Sequence, residues 1–455
     1  MEDPKKQLPS QEMMNRLISQ GDWNTLRSLL AEVHPADIAF LLDQLEPEDA
    51  VVVFRLLPLE TASEVLDETG SRVRQELVEK VDEERLADLL DELPMDDAAE
   101  FLEDLPDLKA ARLLDLMEPE EAEDVRELLR YEDETAGRLM TRDVVALRRH
   151  WTIAETLNFL RNLEDTDPLH YLYVVDRNNH LIGVVPLREL IKAKPEQTVE
   201  SIMRGDVATV SVHADQEALA EMVARYDYYA MPVVDDANHL VGIVTVDDVL
   251  DVLADEATED IQRLGGSEPL DQPYFAVSVF HVVRKRIVWL LLLFVAATLT
   301  GTVIRQFEVE LETVIALGIF IPLITGTGGN AGSQTVTTVI RALALGEVQR
   351  RDIFRVLWRE IMVALLLGTL LGLVGFLRAI TWDTGYRTVY DVSVVVMLTL
   401  PLVVLWANVV AAVVPIVAEK LRIDPTVVSA PMITTVVDAT GLGIYFLLAK
   451  WILGL

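Results

Sequence analysis

The stretch PLITGTGGNAGSQT, Pro322 to Thr335, sets four glycines and a row of small polar residues inside an otherwise apolar run. In lipid every backbone group must find an internal partner, and irregular backbone survives only where protein or water meets it. VIALGIFIPLI precedes the stretch and VTTVIRALAL follows it. The pattern predicts a span that breaks around Gly326 to Gly332 and then resumes, as the discontinuous helices that line membrane cavities do. Thr327, Asn330, Ser333 and Gln334 supply neutral oxygens, which suit a hard cation that keeps its water shell. Close helix packing through small residues is the competing reading of the glycines, and it leaves the polar row unexplained.

Around this stretch, five runs are long enough to cross a bilayer at about 20 residues each: about 285–304, 313–340, 356–379, 392–418 and 426–449. One set of ends carries Arg284, Lys285 and Arg286, then Arg350, Arg351 and Arg355, then Lys420 and Arg422. The opposite ends carry only Arg305, Arg378, Arg387 and Lys450. By the positive-inside rule the first set is cytoplasmic. In the fifth run, counted from Asp424 of DPTVVSAPMITTVVDATGLGIYFLLAKW, Asp438 lies about fourteen residues in, near the bilayer centre by the helical rise. A carboxylate there is costly unless it meets water, a partner or an ion. No Lys or Arg lies at similar depth, so Asp438 reads as a cation site, with a protonated Asp bonded between helices as the alternative.

The remaining chain is of another kind. From Asp271 onward Lys+Arg and Asp+Glu number 14 and 12, which leaves 25 and 62 for residues 1–270. A half with a balance of about -37 repels nucleic acid, whose binding needs Lys and Arg to displace counterions. It attracts cations, although acidic surfaces also serve solubility alone. The chain has no cysteine, hence no disulfide framework or thiolate chemistry. MEDPKKQLPSQEMMNRL lacks an apolar signal core, so the amino terminus is expected in the cytoplasm.

From about residue 12 to 130, short amphipathic segments alternate with Pro47, Pro58, Pro94, Pro106 and Pro119. Helices that short cannot bury an apolar face alone, so stacked pairs forming a small superhelix are expected. Beyond them lies a repeat. YVVDRNNHLIGVVPLREL from Tyr173 aligns without a gap on PVVDDANHLVGIVTVDDV from Pro232, placing Val174, Asp176, His180 and Gly183 on Val233, Asp235, His239 and Gly242. Each copy reads strand, polar turn, strand, helix. With MTRDVVAL at Met140 and MRGDVATV at Met203 as copy starts, this resembles a tandem pair of CBS domains. Such pairs often bind adenine nucleotides, and Thr245 and Asp248 hold the positions used for ribose. Pro186 and Glu189 replace them in the first copy, so the resemblance implies at most one ATP site, or a purely structural pair.

PLITGTGGNAGSQT, DPTVVSAPMITTVVDATG and the DEATEDIQRL linker, in this domain order, resemble the MgtE family of magnesium channels over almost the whole chain. The fold class expected is multidomain: an α-helical superhelix at 1–135, a tandem CBS α/β pair at 136–253, an acidic linker (plug) helix at 254–280 and a five-span α-helical transmembrane domain at 281–455. The resemblance implies a homodimer in the lipid of the plasma (inner) membrane, with its pore on the two-fold axis. Asp438 from each subunit, with Asn330 beside it, would bind hydrated Mg2+ there. Mg2+ dehydrates reluctantly, so a carboxylate pair bonding to its waters can select it without a protein cage.

The resemblance also implies that cytosolic Mg2+ regulates the pore by bridging acidic domains. Sensor roles then fall to Asp248, Asp251, Asp255, Glu256, Glu259 and Asp260, and also to Asp227, Asp215, Asp96 and Asp97, each of which is otherwise a solvated carboxylate. At low Mg2+ the repulsion of the acidic halves would hold the plug helices apart; at high Mg2+ bound ions cancel it and the pore shuts. The competing reading is a secondary transporter that couples a divalent ion to protons through Asp438. A membrane-tethered sensor leaves Asp438 without a purpose. An enzyme is disfavoured, because the seven His are scattered and form no constellation with a nucleophile and an acid.

Overall fold

The computed structural model describes residues 9–163, 170–270, 274, 277–344, 346–381, 389–421 and 423–455. Arg387, Arg422, the first eight residues and parts of the 254–280 linker lie outside the described residues. The chain forms two compact units, Met1–Glu256 and Ala257–Leu455.

The first unit opens with short helices: α1 (Gln11–Gln20), α2 (Trp23–Leu30), α3 (Pro35–Asp43), α4 (Pro47–Phe54), α5 (Leu59–Asp67), α6 (Ser71–Lys80), α7 (Glu83–Asp91), α8 (Met95–Glu103), α9 (Asp107–Leu116) and α10 (Pro119–Leu128). The prolines open these helices. Pro47 and Pro119 occupy the first helical turn, where a missing N–H costs nothing, while Pro58, Pro94 and Pro106 stand at the N-cap. Ser10, Asp22 and Asp82 cap other helices by accepting a backbone N–H of the first turn. Helices stack on their second neighbours, α3 on α5, α5 on α7 and α7 on α9, with α4 on α6 and α8 on α10. The expected stacking of short helices is thus present, with Ile38, Phe54, Leu66, Leu77, Leu90 and Phe101 in its core. Arginines stitch neighbouring turns: Arg72 donates to Leu45 O at 2.8 Å and Arg126 to Leu114 O at 3.1 Å, each meeting a carbonyl near a helix C-terminus.

The repeat follows as β1 (Ala146–Arg148), α11 (Ile153–Leu160), β2 (Tyr171–Val175), β3 (Leu181–Pro186) and α12 (Leu187–Lys192). The second copy has β4 (Val210–Ser211), α13 (Gln216–Tyr226), β5 (Ala230–Val234), β6 (Leu240–Thr245) and α14 (Val246–Leu264). In each copy the first strand runs parallel to the second and the second antiparallel to the third. The copies interlock: Thr141, at the start of the first, bridges Ile243 in β6, and Arg204, at the start of the second, bridges Val184 in β3. The matched glycines make this possible. A Cβ on Gly242 would stand 2.6 Å from Thr141 O, and one on Gly183 would stand 3.0 Å from Arg204 O. The matched Asp and His shape the turn. Asp235 accepts from the N–H of Ala237 and of His239, Asp176 does likewise from Asn178 and His180, and the two imidazoles stack at 4.7 Å. Helix α14 passes without interruption through residue 254, where the sequence suggested that a separate linker helix begins.

The second unit holds α15 (Val279–Gln306), α16 (Glu308–Thr313), α17 (Ala316–Ala344), α18 (Ile353–Ile380), α19 (Val389–Lys420) and α20 (Ala430–Leu453). Among the described residues, four helices are long and apolar enough to cross a membrane: α15, α18, α19 and α20. The expectation of a broken span is overturned, because α17 is one continuous helix of 29 residues. Its glycines serve packing. Added Cβ atoms on Gly328, Gly329 and Gly332 would meet Val403, Thr434 and Ile433 side chains at 2.7, 2.7 and 2.9 Å. Small residues bring helix axes close where apolar lipid supplies no net drive for association. Helix α18 repeats the device with Ala364, Gly368, Gly372, Gly375 and Ala379 buried, and a Cβ on Gly372 would meet Met397 O at 2.5 Å. The core of this unit lies where α17, α19 and α20 meet, around Phe320, Leu400, Val403 and Tyr445.

Candidate functional site

Asp438 projects from α20 toward the glycine face of α17: its Oδ1 is 3.6 Å from where a Cβ on Gly329 would stand. That oxygen is buried and lacks a hydrogen-bond partner among the described residues. Neighbouring polar groups satisfy one another. Ser333 and Thr434 hydroxyls pair at 3.0 Å, and Thr434 also donates to Ala430 O. Asn330, next to Gly329, is exposed, and so are Gln334, Thr337 and Thr338 one and two turns on. A polar stripe therefore runs along α17, the helix whose glycine face meets Asp438. Among the described residues, no three His, Asp or Glu side chains converge closely enough to hold a metal ion within the chain.

The sensor candidates separate into groups. Asp97 on α8 is pushed up to about 9 by burial and by the negative charges of Asp67, Asp96, Asp248 and Glu100. Asp248 on α14 is raised to about 6, chiefly by burial and further by Asp247 and Asp251, although Thr245 donates to it twice, from N–H at 3.1 Å and from Oγ1 at 2.5 Å. Asp67 at the end of α5 is raised by burial, against the pull of Arg74. Thus Asp96, Asp97, Asp248, Asp251 and Asp255 come together, the last through its influence on Glu100. Sequence reasoning missed Asp67 and Glu100. Their signal was the helical stacking that returns α5 toward α8, and no motif marks it.

Glu256 accepts from Gln216 Nε2 at 2.6 Å. Asp215 and Asp227 stand apart from each other, as the N-cap and C-cap residues of α13, a helix about 16 Å long. In the second unit Arg263 pairs with Glu259 and reaches Asp424 at 2.6 Å, tying the end of α14 to the turn before α20. Asp260 lies half-buried on the same turn of α14. Beside Thr245, an aromatic group of His170, Tyr171, Tyr228 and Tyr229 gathers, with the His170 and Tyr229 rings stacked at 4.8 Å.

Comparison with known proteins matches these parts in order. A family model described as the MgtE intracellular N domain covers residues 33–134, the CBS domain model covers 136–196 and 199–255, and a divalent cation transporter model of the MgtE family covers 321–448. The magnesium transporter MgtE of Thermus thermophilus is 40% identical over 444 residues, 97% of this chain and 98% of that protein. The Bacillus subtilis magnesium transporter MgtE is 31% identical over 431 residues, 94% of each. Among solved structures, the cytosolic domain of the Mg2+ channel MgtE in complex with ATP matches with a TM-score of 0.51 and 41% identity, covering 53% of this chain and all of that one. With all three family models matched in order and a relative 40% identical along nearly its whole length, the chain belongs to the MgtE magnesium-transporter family.

Proposed function

We propose that the protein is a Mg2+ channel, built as a homodimer and closed by Mg2+ on its cytoplasmic side. The observation that carries this reading is the buried, unpartnered carboxylate oxygen of Asp438 against the glycine face of α17. One carboxylate per protomer makes no metal cage, but two across a dimer axis would form a ring that bonds to the waters of a hydrated ion. Helix α17 is the fifth span in this reading. At about 43 Å it is long enough, and its polar stripe of Asn330, Gln334 and Thr337 is water-facing. The relatives named as magnesium transporters support Mg2+ as the permeating ion.

Closure rests on the acidic cluster of Asp67, Asp97, Glu100, Asp248, Asp251 and Asp255. Carboxylates crowded enough to hold one another's protons are repelled when ionised, and a divalent ion bound through water replaces those protons. Mg2+ thus favours the compact state, and the latch from Arg263 to Asp424 carries α14 as the plug. ATP would bind with its ribose at Thr245 and Asp248 and its base on the Tyr171–Tyr229 cluster, a reading supported by the ATP-bound cytosolic domain that this chain resembles.

The test is single-channel recording of reconstituted protein with Mg2+ as the only permeant cation, titrating Mg2+ on the cytoplasmic side, with Asp438→Asn as the control. Currents that are absent in the variant and close as Mg2+ rises are expected. Proton-coupled uptake without unitary currents would replace the channel with the carrier.

A further inference from the structure

A second polar group lies inside the helix bundle, away from Asp438. Glu360 sits on α18 seven residues beyond Ile353. Its Oε2 accepts from Thr335 Oγ1 on α17 at 3.1 Å and from Asn408 Nδ2 on α19 at 3.0 Å. Thr335 is 6% exposed and Asn408 2%. Asn408 Oδ1 is buried without a donor among the described residues, where Glu360 also forms no ion pair.

Three helices thus converge a carboxylate, an amide carbonyl and a hydroxyl, with two neutral donors spent on a single carboxylate oxygen. Amide geometry keeps the orphaned Asn408 Oδ1 within about 5 Å of that oxygen. An oxygen-only set is what hard cations select. Its one formal negative charge decides the valence: a singly charged ion neutralises the site, whereas a divalent ion would leave a net positive charge in a low-dielectric bundle. Thr335 lies six residues from Gly329, about 9 Å along α17 and on another face, so this group is separate from the Asp438 site.

We infer that Glu360, Asn408 and Thr335 form an intramembrane binding site for a monovalent hard cation of the sodium class. A bound ion there ties α18 to α17 and α19. The inference stands whether the protein is a channel or a carrier.

The test is thermal unfolding of the full-length protein in nanodiscs with EDTA present, in NaCl against choline chloride at equal ionic strength. A site selective for the folded protein raises Tm with the logarithm of sodium concentration. That rise is expected in the natural protein and in Asp438→Asn, and it is expected to vanish in Glu360→Gln and shrink in Thr335→Val. Equal Tm in sodium and choline would overturn the proposal outright and make the cluster a protonated or self-satisfied packing element, without reliance on any variant. A sodium response that persists in Glu360→Gln would move the ion elsewhere. A MgCl2 response measured without EDTA that Glu360→Gln abolishes and sodium does not reproduce would overturn the assignment to a single charge.

Discussion

At the scale of single residues, the two acidic sites differ in what relieves them. Asp438 has one orphaned oxygen, and removing its charge while keeping its shape is expected to cut Mg2+ flux at least tenfold. Each tenfold corresponds to about 1.4 kcal/mol. Asp438→Glu, which keeps the charge, should retain part of the flux in the same uptake measurement. Asp97 is relieved by a proton. Its folded value of about 9 stands above the ordinary 3.8, so the folded state holds a proton that the unfolded chain releases. Stability contributed at this position therefore falls as pH rises between those two values. In EDTA, Tm should drop from about pH 5 to about pH 8.5, and Asp97→Asn should flatten that slope. In the proposed sensor Mg2+ competes with the proton, so its stabilising effect should be larger at the upper end of that range. A Mg2+ effect independent of pH would count against Asp97 as a ligand.

At the scale of elements, glycines decide how closely helices and strands approach. Gly372→Leu must place a side chain where Met397 O stands 2.5 Å from the Cβ position, and the expected loss is about 1–3 kcal/mol in unfolding free energy. Gly242→Val meets Thr141 O at 2.6 Å and should loosen the interlocked CBS copies by a comparable amount. Gly205→Ala is the control: the nearest atom is 3.8 Å from its Cβ position, and little change is expected. The elements themselves were legible from the chain. The offset repeat gave both CBS copies because each Asp, His and Gly in it has a local task, in the turn or at the crossing strand. The prolines marked helix boundaries for an equally local reason, since Pro cannot donate to the preceding turn. Continuity of α17 was not legible, because its glycines read the same whether they break a helix or admit a neighbour.

Across the whole molecule, Arg263 couples the end of α14 to the turn before α20. Arg263 is partly exposed and pairs with Asp424, so its loss should cost roughly 0.2–1 kcal/mol of the latched state. In the proposed Mg2+-closed channel, Arg263→Ala is therefore expected to raise the Mg2+ concentration for half-closure by roughly fivefold at most, while leaving single-channel conductance unchanged. An altered conductance in current recordings would place Arg263 in the ion path instead.

The sequence alone determined which segments are helical, repeated or apolar, and it singled out Asp438, because each of these is written in local periodicity or in one charge set against apolar neighbours. Tertiary structure decided which distant residues meet. It brought Asp67 and Glu100 to Asp97 and Asp248, kept α17 whole by seating its glycines on α19 and α20, and joined Glu360, Thr335 and Asn408 from three helices. Those contacts depend on how helices pack across tens of residues, and no spacing along one helix encodes the partner that packing supplies.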